Sequence, residues 1–134
     1  LAAAGESAID ALLEAVAQTS RTDVSDEAEA VLREVVSRSP AVVPALCRRF
    51  ELATSPAARA CIIRALGASD ARPMRILHEA LNDSDVEVRD AAATAIGRHG
   101  GVAAKSYLLR RLAREPNELV RESIQTALDE LGGV

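Results

Sequence analysis

Cys47 and Cys61, His78 and His99, and arginines at 59, 89 and 121 are the side chains with the chemistry to ligate, attack or grip a ligand. Two cysteines are too few for a disulfide framework and have no metal spacing. They lie about equally far from the turn near Thr54, on helices expected to run antiparallel. A bridge between them is conceivable; reduced, buried thiols acting as small hydrophobes are the favoured reading. Neither histidine has a His, Cys or carboxylate three or four residues on, as a helical ligand pair such as HExxH requires. Glu79 adjoins His78 but points elsewhere on a helix, leaving His78 on a solvated or half-buried face. His99 follows the last turn of a helix, where a cation suits the negative end of the dipole. Neither a metal nor a cofactor is expected.

An acyl-transfer set needs Ser or Cys, His and an acid converging in space. The chain has no GxSxG and no phosphate-cradling glycine loop, and Gly100-Gly101 reads as a helix break. We read it as a non-enzyme. A basic cluster, Lys105, Arg110, Arg111 and Arg114, has two members on one helical face, Arg110 and Arg114. It is either a patch for an anion or acidic partner or a solvated face with snorkelling stems. Only Tyr107 interleaves it, which disfavours a base-stacking platform. The net charge of −4, with both signs interspersed, argues against nucleic acid as the main partner.

The elements that must position these residues are helices. The 134 residues fit one domain, and hydrophobic residues at 49% supply a sizeable core. There is one Phe, one Tyr, no Trp and 27 alanines, so helices can approach closely, toward the short end of the usual range. No stretch alternates like a strand, and no run of 18 apolar residues exists to span a membrane. The chain opens Leu1-Ala-Ala-Ala without an initiator Met, so it reads as a processed piece.

Periodicity predicts eight helices. Glu6–Gln18 carries Ile9, Leu12, Leu13 and Val16. The second, capped by Ser25 and running to about Arg38, turns Ala28, Val31, Leu32, Val35 and Val36 inward. Pro40–Ala53 follows, with a late start or kink at Pro44. Ser55 opens the fourth, which ends near Leu66-Gly67. Asp70 caps the fifth, with Ile76, Leu77 and Leu81. Asp85 caps the sixth, to about His99, with Val88, Ala92, Ala95 and Ile96 inward. Val102–Arg114 carries Leu108, Leu109 and Leu112, and Glu115-Pro116 breaks it. Asn117 caps the eighth, which Gly132-Gly133 closes.

These helices repeat. The caps Ser25, Ser55, Asp85 and Asn117 step by 30, 30 and 32 residues. Four beyond each stand Glu29, Arg59, Arg89 and Arg121. Leu46, Leu77 and Leu108 step by 31, as do Phe50, Leu81 and Leu112. Four helix–turn–helix copies follow, at about 6–38, 40–67, 70–99 and 102–132. One hairpin cannot bury its apolar faces alone, so the copies must stack.

DSDVEVRDAAATAIGRHGG and NELVRESIQTALDELGG resemble HEAT repeats, above all the short bacterial HEAT-like (phycobilin-lyase-type) form: a polar turn, Val-Arg, an Ala-rich helix, then Leu/Ile-Gly. Ala58-Arg59 and Leu66-Gly67 fit in the second copy; in the first, Glu29 replaces the Arg and the loop is longer. Residues 1–5 resemble the tail of a preceding repeat, making the chain a slice of a longer solenoid. The resemblance implies an all-α, right-handed superhelical solenoid. It also implies a structural ladder of Arg59, Arg89 and Arg121 with Asp83 and Glu115, acids six residues before the repeated position. Asp23 continues that series and Ala53 breaks it.

Second helices usually line the concave side of such solenoids. Their outward stripe reads Glu27, Ala30, Glu34; Ala57, Ala60, Arg64; Glu87, Asp90, Thr94, Arg98; then Glu122, Thr126 and Asp129. It is mixed and mildly acidic, and suits a helix or extended peptide with basic and small apolar groups. The leading function is a protein- or peptide-binding scaffold within a larger polypeptide. Two others are kept: a lyase-type or accessory subunit handling a cofactor-bearing protein, and nucleic-acid binding through the basic helix 102–114.

Overall fold

A computed structural model describes the backbone at residues 2–70 and 73–132 and the side chains of these residues except 2–6 and 102. The expected closing residue Gly133 and the opening Leu1 lie outside the described residues. Eight α-helices and no strands are present among them: α1 Ala2–Gln18, α2 Thr22–Arg38, α3 Val43–Leu52, α4 Pro56–Leu66, α5 Met74–Leu81, α6 Val86–His99, α7 Gly101–Arg114 and α8 Glu118–Gly132. The chain is an all-α solenoid of stacked hairpins. The second helices form one layer, α2 on α4, α4 on α6 and α6 on α8. The first helices pack against it, α3 on α4, α5 on α6 and α7 on α8, while α1 touches both α2 and α4.

Three of the four repeat caps act as caps. The side-chain oxygens of Ser55, Asp85 and Asn117 accept from the N–H groups of Ala58, Val88 and Val120. Each satisfies one of the donors that a helix start leaves free. The first copy departs from this. Its α2 starts at Thr22 with Arg21 as N-cap and no side-chain cap bond, so Ser25 lies inside the helix. Nothing in Thr22-Asp-Val-Ser stops a helix, and the Thr19 hydroxyl accepts from the Arg21 N–H just before it.

Other boundaries move for local reasons. Pro40–Val42 forms a 3-10 turn, and α3 begins only at Val43, with Pro44 in its first turn. There its missing N–H has no helical partner to lose. Asp70 does not cap α5, which starts at Met74 after Pro73. The Gly100-Gly101 break works through Gly101, whose φ of +69° opens α7 in a conformation open to glycine. Residues 2–5 belong to α1.

The core is Leu, Ile, Val and Ala with a single Phe. Ile62, Leu66, Leu77, Ile96, Leu108 and Ile124 are fully buried. Two residues expected inward are not: Val31 is 43% and Leu109 55% exposed. The α2 stripe is carried by Ala28, Leu32 and Val36, and α7 buries Leu108 beside a half-buried Leu112. In the other direction, Ala60, read as outward, is fully buried. The stacking of α4 between α2 and α6 leaves it little free surface, so a small residue at that position belongs to the core.

Candidate functional site

Two of the arginines at the repeated position, Arg59 and Arg89, bridge successive turns. In Arg59, Nη1 donates to the carbonyls of Phe50 and Ala53, both 3.1 Å away, at the end of its own hairpin's first helix. Its Nε and Nη2 donate to Asp83 in the next turn, and its guanidinium lies 4.3 Å from the Phe50 ring centre. Arg89 does the same one copy later. Its Nη1 donates to the Asp83 and Ser84 carbonyls, at 3.0 and 3.1 Å. Its Nε and Nη2 take the two Glu115 oxygens, at 2.8 and 3.0 Å. Arg121 donates to the Leu112 and Glu115 carbonyls, at 2.8 and 3.1 Å, and is exposed.

The acids have a second task. Asp83 accepts from the Asp85 N–H and Glu115 from the Asn117 N–H, which shapes the turn just ahead of each cap. Glu115 and Arg89 are both buried. Burial pushes the Glu115 carboxyl up. Arg89, the Asn117 N–H and Arg111 together outweigh it and hold the group below the usual carboxylate range. The repeated position in the first copy, Glu29, turns instead toward arginines, with Arg33 and Arg64 each 3.7 Å away. Asp23 sits in the first turn of α2 and pairs with Arg21 on the surface.

A groove opens across the layer of second helices. Glu29 and Arg33 reach it from α2, Arg64 and the following Gly67 from α4, and Asp90, Ala91, Thr94, Ala95 and Arg98 from α6. Its volume is about 150 Å³. The small residues Gly67, Ala91 and Ala95 form its floor. There α4 and α6 are in close contact: a Cβ at Gly67 would stand 3.1 Å from the Ala95 Cβ.

Of the seven stripe residues on the two last second helices, Asp90, Thr94 and Arg98 line this groove. Glu87 lines a neighbouring depression with Arg64 and Cys61, and Glu122 and Thr126 a separate one with Arg121 and Leu112. Asp129 is exposed and lines neither. In α2 the groove takes Glu29 and Arg33 rather than Ala30 and Glu34. The earlier start of that helix accompanies this one-residue difference in the face it presents.

Sequence reasoning missed one further tie. His99 Nε2 donates to the Gly67 carbonyl, joining the end of α6 to the end of α4. A carbonyl only accepts, so Nε2 carries a proton. His78 packs on Tyr107, ring centres 4.0 Å apart. In the basic cluster, Arg111 turns back to Glu115 and, with Arg114, to Asn82. Both cysteines are free thiols. No group of three or more His, Cys, Asp or Glu able to hold a metal occurs among the described residues. No helix is long and apolar enough to cross a membrane, again among the described residues.

A family model for HEAT repeats matches residues 43–129. The match covers more than half the sequence, and the chain belongs to the HEAT-repeat family. No curated protein matches it.

Proposed function

We propose that this chain is a protein-interaction scaffold that takes a partner protein or peptide in the groove across α2, α4 and α6. The observation that carries the reading is the floor of Gly67, Ala91 and Ala95 beneath charged side chains from three separate hairpins. Small residues let a partner's backbone come close, and the surrounding charges set its orientation. The surface exists only because the hairpins stack, which is how repeat folds build recognition surfaces. Glu87, Glu122, Thr126 and Asp129 are contacts for a partner that extends beyond the groove. Arg59, Arg89 and Arg121, with Asp83 and Glu115, serve as the ladder that keeps the hairpins in register. HEAT-repeat membership supports the scaffold reading, and with it a non-enzymatic role.

Panning a random peptide library on the protein should enrich segments whose binding disappears when Thr94→Arg fills the groove. Thr94 is exposed, so the variant should melt like the parent. Segments that bind parent and variant alike would move the partner surface elsewhere. The lyase-type accessory role rests on the likeness of the repeats alone; a pigment retained through purification is its mark. Nucleic-acid binding through α7 draws less from the geometry, since Arg111 and Arg114 face Glu115 and Asn82 and Tyr107 is against His78.

A further inference from the structure

We infer that the groove selects an acidic segment of its partner, seating a carboxylate side chain among Arg33, Arg64 and Arg98. The inference rests on the scaffold reading and adds the partner's chemistry. It also reverses the sign expected from the outward stripe, which read as mildly acidic.

The reason is how the charges are already used. Three guanidinium groups and two carboxylates line the groove. Of the carboxylates, Asp90 accepts a close hydrogen bond from the Ser123 hydroxyl of α8. Glu29 is shared between Arg33 and Arg64, at 3.7 Å from each. That is the distance of a loose ion pair, beyond hydrogen-bond range. Arg64 has one further acid at the rim, Glu87, 3.4 Å away and 70% exposed. Arg98 has no ion pair among the described residues and is exposed on the last turns of α6. Among the lining side chains guanidinium groups outnumber carboxylates three to two, and Arg98 is the donor left to give.

Geometry limits the guest. The groove's volume of about 150 Å³ suits one acidic side chain rather than a whole helix. Guanidinium forks grip planar carboxylates through paired N–H groups. Neighbouring helices lie about 8–10 Å apart, and an extended chain advances about 3.3 Å per residue. Side chains of an extended segment alternate, so acidic residues two positions apart, about 6.6 Å, face the same side and come nearest to the spacing of successive arginines.

Fluorescence anisotropy with labelled peptides tests this. An alternating Glu-Ser peptide should bind saturably, an alternating Lys-Ser peptide should not, and a single-stranded oligonucleotide of equal charge should bind more weakly than the Glu-Ser peptide. Arg98→Ala should weaken the Glu-Ser peptide about tenfold, the scale of one lost charge-assisted hydrogen bond. Arg110→Ala, on exposed α7 surface, should leave it unchanged. Raising the salt until the Debye length falls from about 10 Å to about 3 Å should abolish binding. No saturable Glu-Ser binding, indifference to Arg98→Ala, or equal binding of the oligonucleotide overturns the inference. A Lys-Ser peptide that binds the parent but not Thr94→Arg overturns the acidic choice and leaves the groove as the partner surface. If neither these peptides nor those selected by panning depend on the groove, the scaffold reading of this surface falls as well.

Discussion

Gly97 on α6 stands against Ala127 on α8 so closely that a Cβ added at 97 would lie 2.8 Å from both the Cα and the Cβ of Ala127. The obstacle includes backbone, so no rotamer change relieves it. Gly67 holds the same place one copy earlier, but the tightest contact of its added Cβ would be the Ala95 Cβ, at 3.1 Å. The missing side chains let the second helices close into one layer.

Replacing either glycine by alanine therefore sets two effects against each other. Alanine favours a helix by about 1 kcal/mol, and overpacking costs about 1–3 kcal/mol. At Gly97 the clash should win, and Gly97→Ala should lower the thermal midpoint by several degrees, at about 4 °C per kcal/mol for a chain of this size. At Gly67 the two effects should nearly cancel. Differential scanning calorimetry of both variants checks the contrast, and equal melting would mean that α6 and α8 are not in such close contact.

The ladder should show a gradient rather than three equal rungs. Arg89→Ala leaves Glu115 buried with only Arg111 and the Asn117 N–H, a change on the scale of a broken buried pair, about 3 kcal/mol. Arg59→Ala strips Asp83 of its guanidinium partner, but that pair is less deeply buried, with Arg59 23% exposed against 8% for Arg89, and should cost less. Arg121→Ala removes bonds to two carbonyls at an exposed site, about 1 kcal/mol. Arg89→Lys should not restore the parent midpoint, because one ammonium cannot take two carboxylate oxygens and two carbonyls in the fork's geometry. Chemical denaturation of the four variants orders them, and an Arg89→Ala protein that melts like the parent would remove the ladder.

The helices and their stacking were legible because the same physics is written four times. Leu46, Leu77 and Leu108 keep the core side of each first helix, and all three are fully buried. Ser55, Asp85 and Asn117 mark starts through a bond that needs only neighbours in sequence. What stayed hidden depends on partners far along the chain. Arg33 looks like any surface arginine until α2 is placed beside α4. His99 reads as a dipole contact until the Gly67 carbonyl appears 32 residues away. Leu109 follows a correct helical period but lies on a part of α7 that no neighbouring helix covers. The start of α2 moved for the opposite reason: no local signal stops it.

The thiols should be inert in the folded protein. Cys61 is 2% exposed, and burial, with Glu29 nearby, pushes its thiol up to about 12 against a smaller opposing pull from Arg64. Thiolate is the reacting form, so native protein at neutral pH holds almost none at this position. Cys47 is half-buried, and burial raises its thiol as well. Iodoacetamide labelling followed by mass spectrometry should modify Cys47 slowly and Cys61 only under denaturant. Native labelling of Cys61 at the rate of a free thiol would show that α4 opens from the layer.

Acid should loosen the solenoid at the seam between the third and fourth hairpins. Glu115 titrates near 4.5 when unpaired and lower when folded, since Arg89, the Asn117 N–H and Arg111 outweigh the upward push of burial. A depressed carboxyl contributes stability that is fully present above the unfolded value and is lost as the pH falls through the folded one. The parent's thermal midpoint should therefore hold from neutral pH to about 5 and drop below about 4.5. Glu115→Gln removes that titration while keeping the shape of the side chain. It should be less stable than the parent at neutral pH, because Arg89 then faces a neutral group, and its midpoint should fall less steeply on acidification. Asp10, lowered by Arg49 on the surface, contributes to both proteins alike and cancels in the comparison. Parallel acid curves for the two proteins would locate the acid sensitivity at other carboxylates.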